Sequence, residues 1–562
     1  MSQYLPVPSV FSSYILFVAA ILGFHVPYAL HPDPMDLEDL RGYRIPGTPA
    51  MSRSTSSAIA SITTRSESAS CRALNLPEIV SEVLYYVCEE FDNDGDRAAL
   101  QYTLVSRLWE RETNRWIWAN CGVGLAIGGQ PEIRHLLRMS PRRRKHYADF
   151  VRDLYLANEE HDGRNDDEDL WEGRFHAELA MLDLRRLEAL TIWGPNHRDP
   201  IRPYILPVSG LWRHSLTSVT LGDHRAQPQW IDLELALADL SMTCRHLTKL
   251  ELVLENRAHS VSPRTLASCI AGMSRLTYLH LGPAFNSAMS SDAFKALVHA
   301  SLLRSMEVPR IEDEWLAEAQ LPDNAFERLD TLACQASTEC AHHLLQYASN
   351  VDDLTINAAP GACRIFSVIT GAKLPYLRSL NLEPCLGSIL QAMDLYRFAK
   401  DHQELEALVI PWKYEDSSTD FDDEPIVPIL QGLDDAMLES IVQFLPCISN
   451  LSLISDSQGL TEQTLISLAN HCPRLRYCKL AATVDFENLV NCAPRPMWNQ
   501  LWQLVIIEPL EAGAEERARV RYTEEGSVQD VARLLCQMMP NLTLLDFRDD
   551  WALQQEVREM SR

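Results

Sequence analysis

Leu247-Thr248-Lys249-Leu250-Glu251-Leu252 and Leu276-Thr277-Tyr278-Leu279-His280-Leu281 are two copies of one phrase, L-x-x-L-x-L. With Leu, Ile or Val closing it, the phrase returns at Leu377-Leu380-Leu382, Leu405-Leu408-Ile410, Ile448-Leu451-Leu453 and Leu501-Leu504-Ile506. Looser copies fill the gaps: Leu216-Val219-Leu221, Leu303-Met306-Val308, Leu329-Leu332-Cys334, Val351-Leu354-Ile356, Leu475-Cys478-Leu480 and Leu542-Leu545-Phe547. From Leu250 to Leu408 the successive middle positions lie 29, 27, 26, 22, 26 and 28 residues apart. The alternation inside the phrase is that of a short strand, whose inner apolar row stays exposed unless further copies stack on it. Helix-period apolar residues follow many copies, as in Thr265 to Ala271, Asp292 to Leu297, Cys340 to Tyr347 and Val528 to Met539. The chain is therefore read as a stack of strand–helix units.

Phrase and period together resemble leucine-rich repeats, whose unit is roughly 20 to 29 residues. Leu460 to Leu475, with its helix running into Cys472-Pro473, resembles the cysteine-containing class. The fold expected is an α/β solenoid, a horseshoe with parallel strands on the concave side and helices on the convex side, over residues 151–562. Val151-Leu154-Leu156 and Leu187-Leu190-Ile192 serve as entry repeats. Two spacings are too long, 43 residues before Leu451 and 41 before Leu545, so those repeats carry insertions, near 413–426 and 508–527. A third acidic insertion lies near 159–169. The first two are read as solvated loops, or as loops on a binding face.

Ahead of the repeats, Leu76, Ile79, Val80, Val83, Leu84 and Val87 share one face of a helix that Pro77 opens. A second helical stripe runs through Leu100, Leu104, Val105, Leu108 and Trp109, and Trp116-Ile117-Trp118 follows. Leu76-Pro77-Glu78-Ile79-Val80, then Leu104-Val105-Ser106-Arg107-Leu108-Trp109, then Trp118, resemble an F-box over residues 74–123. The acidic connector Cys88 to Asp96 is longer than that family's usual one. The resemblance implies a small all-α domain that docks on the Skp-type adaptor of a cullin-RING (SCF) ubiquitin ligase. Leu76, Pro77, Ile79, Val80, Val83, Leu84, Leu104, Val105, Trp109 and Trp118 would form its adaptor-binding set. An F-box followed by leucine-rich repeats resembles a substrate receptor, which acts by proximity and holds a client protein, here unknown. A helical cap on the first repeat is the plainer reading.

The 562 residues carry a formal charge of −27 and are 46% apolar, as expected of a folded protein that is not a general nucleic-acid binder. Fourteen cysteines show neither a C-x-x-C pair nor a dense framework, so they read as reduced thiols, with Cys269, Cys334, Cys472, Cys478 and Cys536 on core positions. That usage suits the cytoplasm or nucleus. The sequons at Asn450 and Asn541 overlap predicted strands and are read as chance. Arg142-Arg143-Arg144-Lys145, in the helical connector 124–150, is a solvated turn, a nuclear signal or a phosphate contact.

Residues 1–32 include an apolar segment, Val10 to Leu30, about long enough to span a bilayer. No Lys or Arg precedes it, as a signal peptide would require. A non-functional extension, a membrane anchor and a signal peptide all stay open, and this is the sole basis for a membrane partner. Residues 33–73, rich in Ser and Thr, read as a disordered tether.

No phosphate loop, nucleophile elbow or zincin spacing occurs, so no enzyme, cofactor or metal is expected. Asp92 to Asp96 fails the calcium-loop pattern, with Arg97 at position six and Thr103 at position twelve, and His342-His343 falls on a repeat helix. Binding should fall on the strand residues that alternate with the buried row: Tyr155, Trp193, Lys249, Glu251, Tyr278, His280, Glu307, Asn357, Asn381, Tyr477 and Lys479, with Trp412 just beyond its strand. Trp193, Tyr278 and His280 lead this set, because aromatic anchors ringed by charge favour protein contacts.

Overall fold

In the computed structural model the described residues are 76–90, 105–123, 133–156, 178–194, 208–223, 230–254, 261–359, 365–383, 389–410, 429–453, 459–484, 488–489, 498, 500–507, 525–547 and 551–560. Among them, fifteen strands make one parallel sheet in sequence order. They are β1 (Asn120–Val123), β2 (Asp153–Leu156), β3 (Ala189–Trp193), β4 (Ser218–Gly222), β5 (Lys249–Val253), β6 (Tyr278–Leu281), β7 (Ser305–Val308), β8 (Thr331–Ala336), β9 (Asp353–Ala358), β10 (Ser379–Glu383), β12 (Ala407–Ile410), β14 (Asn450–Leu453), β15 (Tyr477–Ala481), β16 (Gln503–Ile507) and β17 (Leu544–Phe547). Two further strands, β11 (Ile389–Gln391) and β13 (Ile429–Gln431), pair in a separate ladder.

Register stacks the middle residues of the phrase: Leu250, Leu279, Met306, Leu332 and Leu354 are successive partners, and Leu380, Leu408, Leu451, Cys478, Leu504 and Leu545 continue the row. All are buried, and the residues between them are half-buried in most strands. The buried row faces the helices, and the alternate row lies on the open face of the sheet. Strands stack about 4.8 Å apart while packed helices need about 8–10 Å, so the stack curves with its strands inside. This is the leucine-rich-repeat α/β solenoid.

The helices are α1 (Pro77–Glu90), α2 (Arg107–Ala119), α3 (Ile133–Arg138), α4 (Pro141–Ala148), α5 (Leu233–Thr243), α6 (Pro263–Gly272), α7 (Ser291–Val298), α8 (Asp313–Ala319), α9 (Thr338–Tyr347), α10 (Ile365–Gly371), α11 (Ala392–Asp401), α12 (Asp435–Val442), α13 (Glu462–His471), α14 (Glu525–Met538) and α15 (Trp551–Met560). Their starts are written locally: the side chains of Asp232, Ser262, Ser290, Ser337, Asp434 and Thr461 accept from backbone N–H groups of the first turn. Their ends hand the chain to the next strand. The carbonyls of Cys244, Met273, Ala348, His402 and Cys472 accept from the N–H groups of Leu247, Leu276, Val351, Leu405 and Leu475.

Two hydrogen-bond ladders run across the repeats. On the strand side, the carbonyl of Thr217 accepts from Thr248 and Lys249 N–H, and that of Thr248 from Thr277 and Tyr278; the pattern continues to Trp502, which serves Thr543 and Leu544. The hydroxyls of Thr248, Thr277 and Thr543 add a bond to the same carbonyls. On the helix side, a carboxylate in the first turn of one helix holds the cap of the next. Glu234 accepts from Ser262 and Thr265, Asp313 from Ser337, and Asp435 from Thr461 and Thr464.

One continuous core runs from Trp118 to Val557, and Val80, Leu84 and Trp109 form a small separate one. Burial pushes the thiols of Cys269, Cys334 and Cys472 up to about 12 and that of Cys244 to about 11, so these are packing residues rather than nucleophiles. Cys536, expected in the core, is half-buried. The sheet also begins earlier than residue 151. Asn120 to Val123, assigned above to the helical unit, pair with Asp153 to Leu156 as β1, and Ala119 carbonyl accepts from Arg152 N–H. Asn-Cys-Gly-Val carries no leucine phrase, so nothing in the sequence marked it. Nor did anything mark β11 and β13.

Candidate binding surface

Five of the expected open-face residues come together on three neighbouring strands. Register sets Glu251, His280 and Glu307 side by side across β5, β6 and β7, with Lys249 beside Tyr278 one step earlier. Lys249 Nζ lies 2.9 Å from Glu251 Oε2 and 5.0 Å from the centre of the Tyr278 ring. His280 sits between two carboxylates, Nδ1 at 3.7 Å from Glu251 and Nε2 at 3.4 Å from Glu307. Thr220 on β4, not anticipated, donates its hydroxyl to Glu251 Oε2 at 3.1 Å. Its signal was positional, since Thr220 occupies in its phrase the place that Glu251 and His280 occupy in theirs.

Burial alone would raise the Glu251 carboxyl. The hydrogen bonds and charge of Lys249, the Thr220 hydroxyl and His280 outweigh it and hold the group below its ordinary value. Burial raises the Tyr278 phenol, and the charges of Glu251 and Glu307 add to that. The cluster is thus a half-buried, internally paired polar patch.

Trp193 lies beside this patch on β3. A Cβ on Gly222 of the adjoining strand would meet its ring at 2.5 Å, so the indole rests directly on the Gly222 backbone. Behind it, Gly194 leaves the same kind of room for Trp230. These glycines were missed, because nothing local distinguishes a glycine under an indole from one in a turn. Tyr155, Asn357 and Asn381 are half-buried on other strands, β2, β9 and β10, and Tyr477 and Lys479 on β15 stand far from the cluster in strand order. Trp412 lies outside the described residues.

The ten residues expected to meet an adaptor divide. Leu76 and Ile79 are exposed, at 50% and 39%, and Pro77, Val83 and Val105 are half-buried. Val80, Leu84 and Trp109 are instead buried against one another, so they join α1 to α2 and present nothing outward. Trp118 belongs to the solenoid core, stacked on Tyr147 at 5.2 Å. These four are therefore removed from the contact set, because the same amphipathic stripe supplies both the inner and the outer face of a two-helix unit. Leu104 lies outside the described residues. Glu112, buried in α2, pairs with Arg111 and Arg115 and takes the Ser81 hydroxyl of α1 at 3.5 Å.

The basic run forms α4, where Arg142, Arg143 and Lys145 are exposed and Arg144 donates to the carbonyls of Leu137 and Met139. His342 and His343 are exposed on α9. Among the described residues no group of His, Cys, Asp or Glu could hold a metal ion, and no helix is long and apolar enough to cross a membrane. Val10 to Leu30 and Asp92 to Asp96 lie outside them.

No family model matches the chain, nor does any curated protein. Among solved structures it is similar to the leucine-rich repeat-containing protein LegL7 from Legionella pneumophila, at 14% identity and a TM-score of 0.31, over 52% of this chain and 91% of that one. It is also similar to a chain of the Rad7 and Elc1 complex in yeast, at 13% identity and a TM-score of 0.33, over 66% of this chain and 74% of that one.

Proposed function

We propose that this chain is the non-catalytic substrate-recognition subunit of an SCF-type ubiquitin ligase in the cytoplasm or nucleus. In this reading α1 and α2 are an F-box that docks on a Skp-type adaptor, and the open face of the solenoid holds the client. The observation that carries it is the exposure of Leu76 and Ile79 at the start of α1, whose Val80 and Leu84 are buried with Trp109 of α2. Exposed large apolar side chains side by side on one helix suit a partner. Proximity then does the work, by raising the effective concentration of a client near a ubiquitin-charged enzyme.

The test is co-purification of the full chain with a Skp-type adaptor, with and without Leu76→Asp/Ile79→Asp. Both side chains are exposed, so the variant should keep the parent's melting temperature while losing the adaptor. Retained binding, or none from the well-folded parent, would rule the reading out. The second reading is an interaction scaffold whose α1 and α2 only cap the solenoid. It is favoured by α2 running straight into β1 and by Trp118 packing in the solenoid core.

A further inference from the structure

The open face of the last strands differs in chemistry from the Glu251–His280–Glu307 cluster. Tyr477 and Leu544 stand in one register row of β15 and β17, with Gln503 between them. Arg476 and Trp502 immediately precede β15 and β16, and Trp502 N–H donates to the Arg476 carbonyl. Trp502 is 45% exposed and Leu544 41%, two large apolar residues joined by a hydrogen bond from Leu544 N–H to the Trp502 carbonyl. Arg476 is exposed and Lys479 half-buried, and neither meets a carboxylate among the described residues. This contrasts with Lys249, which Glu251 neutralises, and with Arg152, Arg304 and Arg378, each beside an acid that immediately precedes the next strand.

Tyr, Trp and Arg are the side chains that dominate protein contacts when grouped with apolar neighbours. Two cations beside them, with no carboxylate partner among the described residues, select the charge of what binds. The rest of the chain is strongly acidic, but at physiological salt its field decays within about 8 Å, so the local pair governs a docked segment. Two cations are too few for a nucleic-acid backbone, which takes a basic surface of many contacts.

We propose that this end of the open face docks an acidic segment of a client protein, with an aliphatic or aromatic side chain packed on Tyr477, Trp502 and Leu544 and carboxylates paired with Arg476 and Lys479. This rests on the reading of the open face as the client surface, but not on the adaptor.

The experiment selects a random library of short displayed peptides on the full chain, then measures binding of the selected sequences to Arg476→Glu/Lys479→Glu and Trp502→Ala/Leu544→Ala. The expected result is enrichment of peptides that combine Asp or Glu with apolar residues, weakened at least about tenfold by either variant and weakened by added salt. Arg476, Trp502 and Leu544 are exposed and Lys479 is half-buried, so both variants should melt close to the parent. Enrichment of basic peptides, acidic peptides indifferent to both variants, or no enrichment would overturn the proposal. Peptides that bind only when phosphorylated would replace it with a phosphate-reading site. Concentration-dependent self-association abolished by the charge reversal would replace it with a second copy of this chain. Adaptor co-purification of the same variants separates the two readings. Peptide binding without adaptor binding defeats the ligase and leaves the patch standing, and the converse defeats the patch alone.

Discussion

Gly222 shows how far one residue can be asked to serve another. Its missing side chain is the seat of the Trp193 indole, so Gly222→Ala must displace the ring or the strand. The expected cost is about 1–3 kcal/mol, read by chemical denaturation, with a shift in tryptophan emission that marks the displaced indole. Gln320 is the opposite case. It ends α8 with φ at 45°, in the left-handed region where a side chain is strained. Gln320→Gly should stabilise the protein by about 0.5–1 kcal/mol, and an unchanged or lowered unfolding midpoint would contradict the assignment. Neither position was legible beforehand, because a glycine's neighbour and a residue's φ are both set by where distant chain segments lie.

Between elements, the carboxylates that bridge successive repeats give the solenoid an acid sensitivity with a definite sign. Hydrogen bonds from the Thr265 hydroxyl and the Ser262 N–H hold Glu234 below its ordinary value, and Glu251 is held low by Lys249, Thr220 and His280 despite burial. A carboxyl depressed in the folded state contributes stability that is fully present above its unfolded value, about 4.3, and is lost as pH falls through the folded one. Thermal melting should therefore drop below about pH 4.5, and Glu251→Gln should flatten that drop while lowering the neutral-pH midpoint. Asp352 has the opposite sign. Burial first, then the charges of Asp330 and Asp353, raise its carboxyl, so its ionised form costs the folded state at neutral pH. Asp352→Asn should gain a few tenths, about 0.3 kcal/mol after solvent screening, at pH 7 and nothing at pH 3. Helix caps of Ser, Thr or Asp before an apolar run were locally encoded, though none was anticipated. The bridges from one cap to the preceding helix were not so encoded, because they join residues about thirty positions apart through the stacking itself.

From Trp118 to Val557 the solenoid has one continuous core, in which each repeat is covered by its neighbours and each end must be covered by something else. At the carboxyl end α15 lies against β17, and Val557 is buried there. Removing residues 551–562 should bare the last strand's edge and apolar row, lowering the melting midpoint and raising light scattering at temperatures where the parent stays clear. At the amino end α1 to α4 precede or flank β1 and β2, and the exposed pair on α1 is what a cap alone does not explain.

The sequence by itself determined the phase of the stack. An alternating phrase that recurs every unit dictates which leucines turn inward, and all fourteen of the quoted phrases, from Val151 to Phe547, lie on strands of the main sheet. It likewise determined the open-face row, since that row is the complement of the buried one. The tertiary structure alone decided which members of that row meet. Glu251, His280 and Glu307 come from three repeats, and a slip of one residue in any pairing would turn them to the other face. It also decided that Val80, Leu84 and Trp109 turn inward while Leu76 and Ile79 stay out, and that β1 joins the sheet without a leucine phrase. Periodicity is a local property of the chain, whereas exposure and neighbourhood belong to pairs of segments, and their physics is settled only when the segments are brought into register.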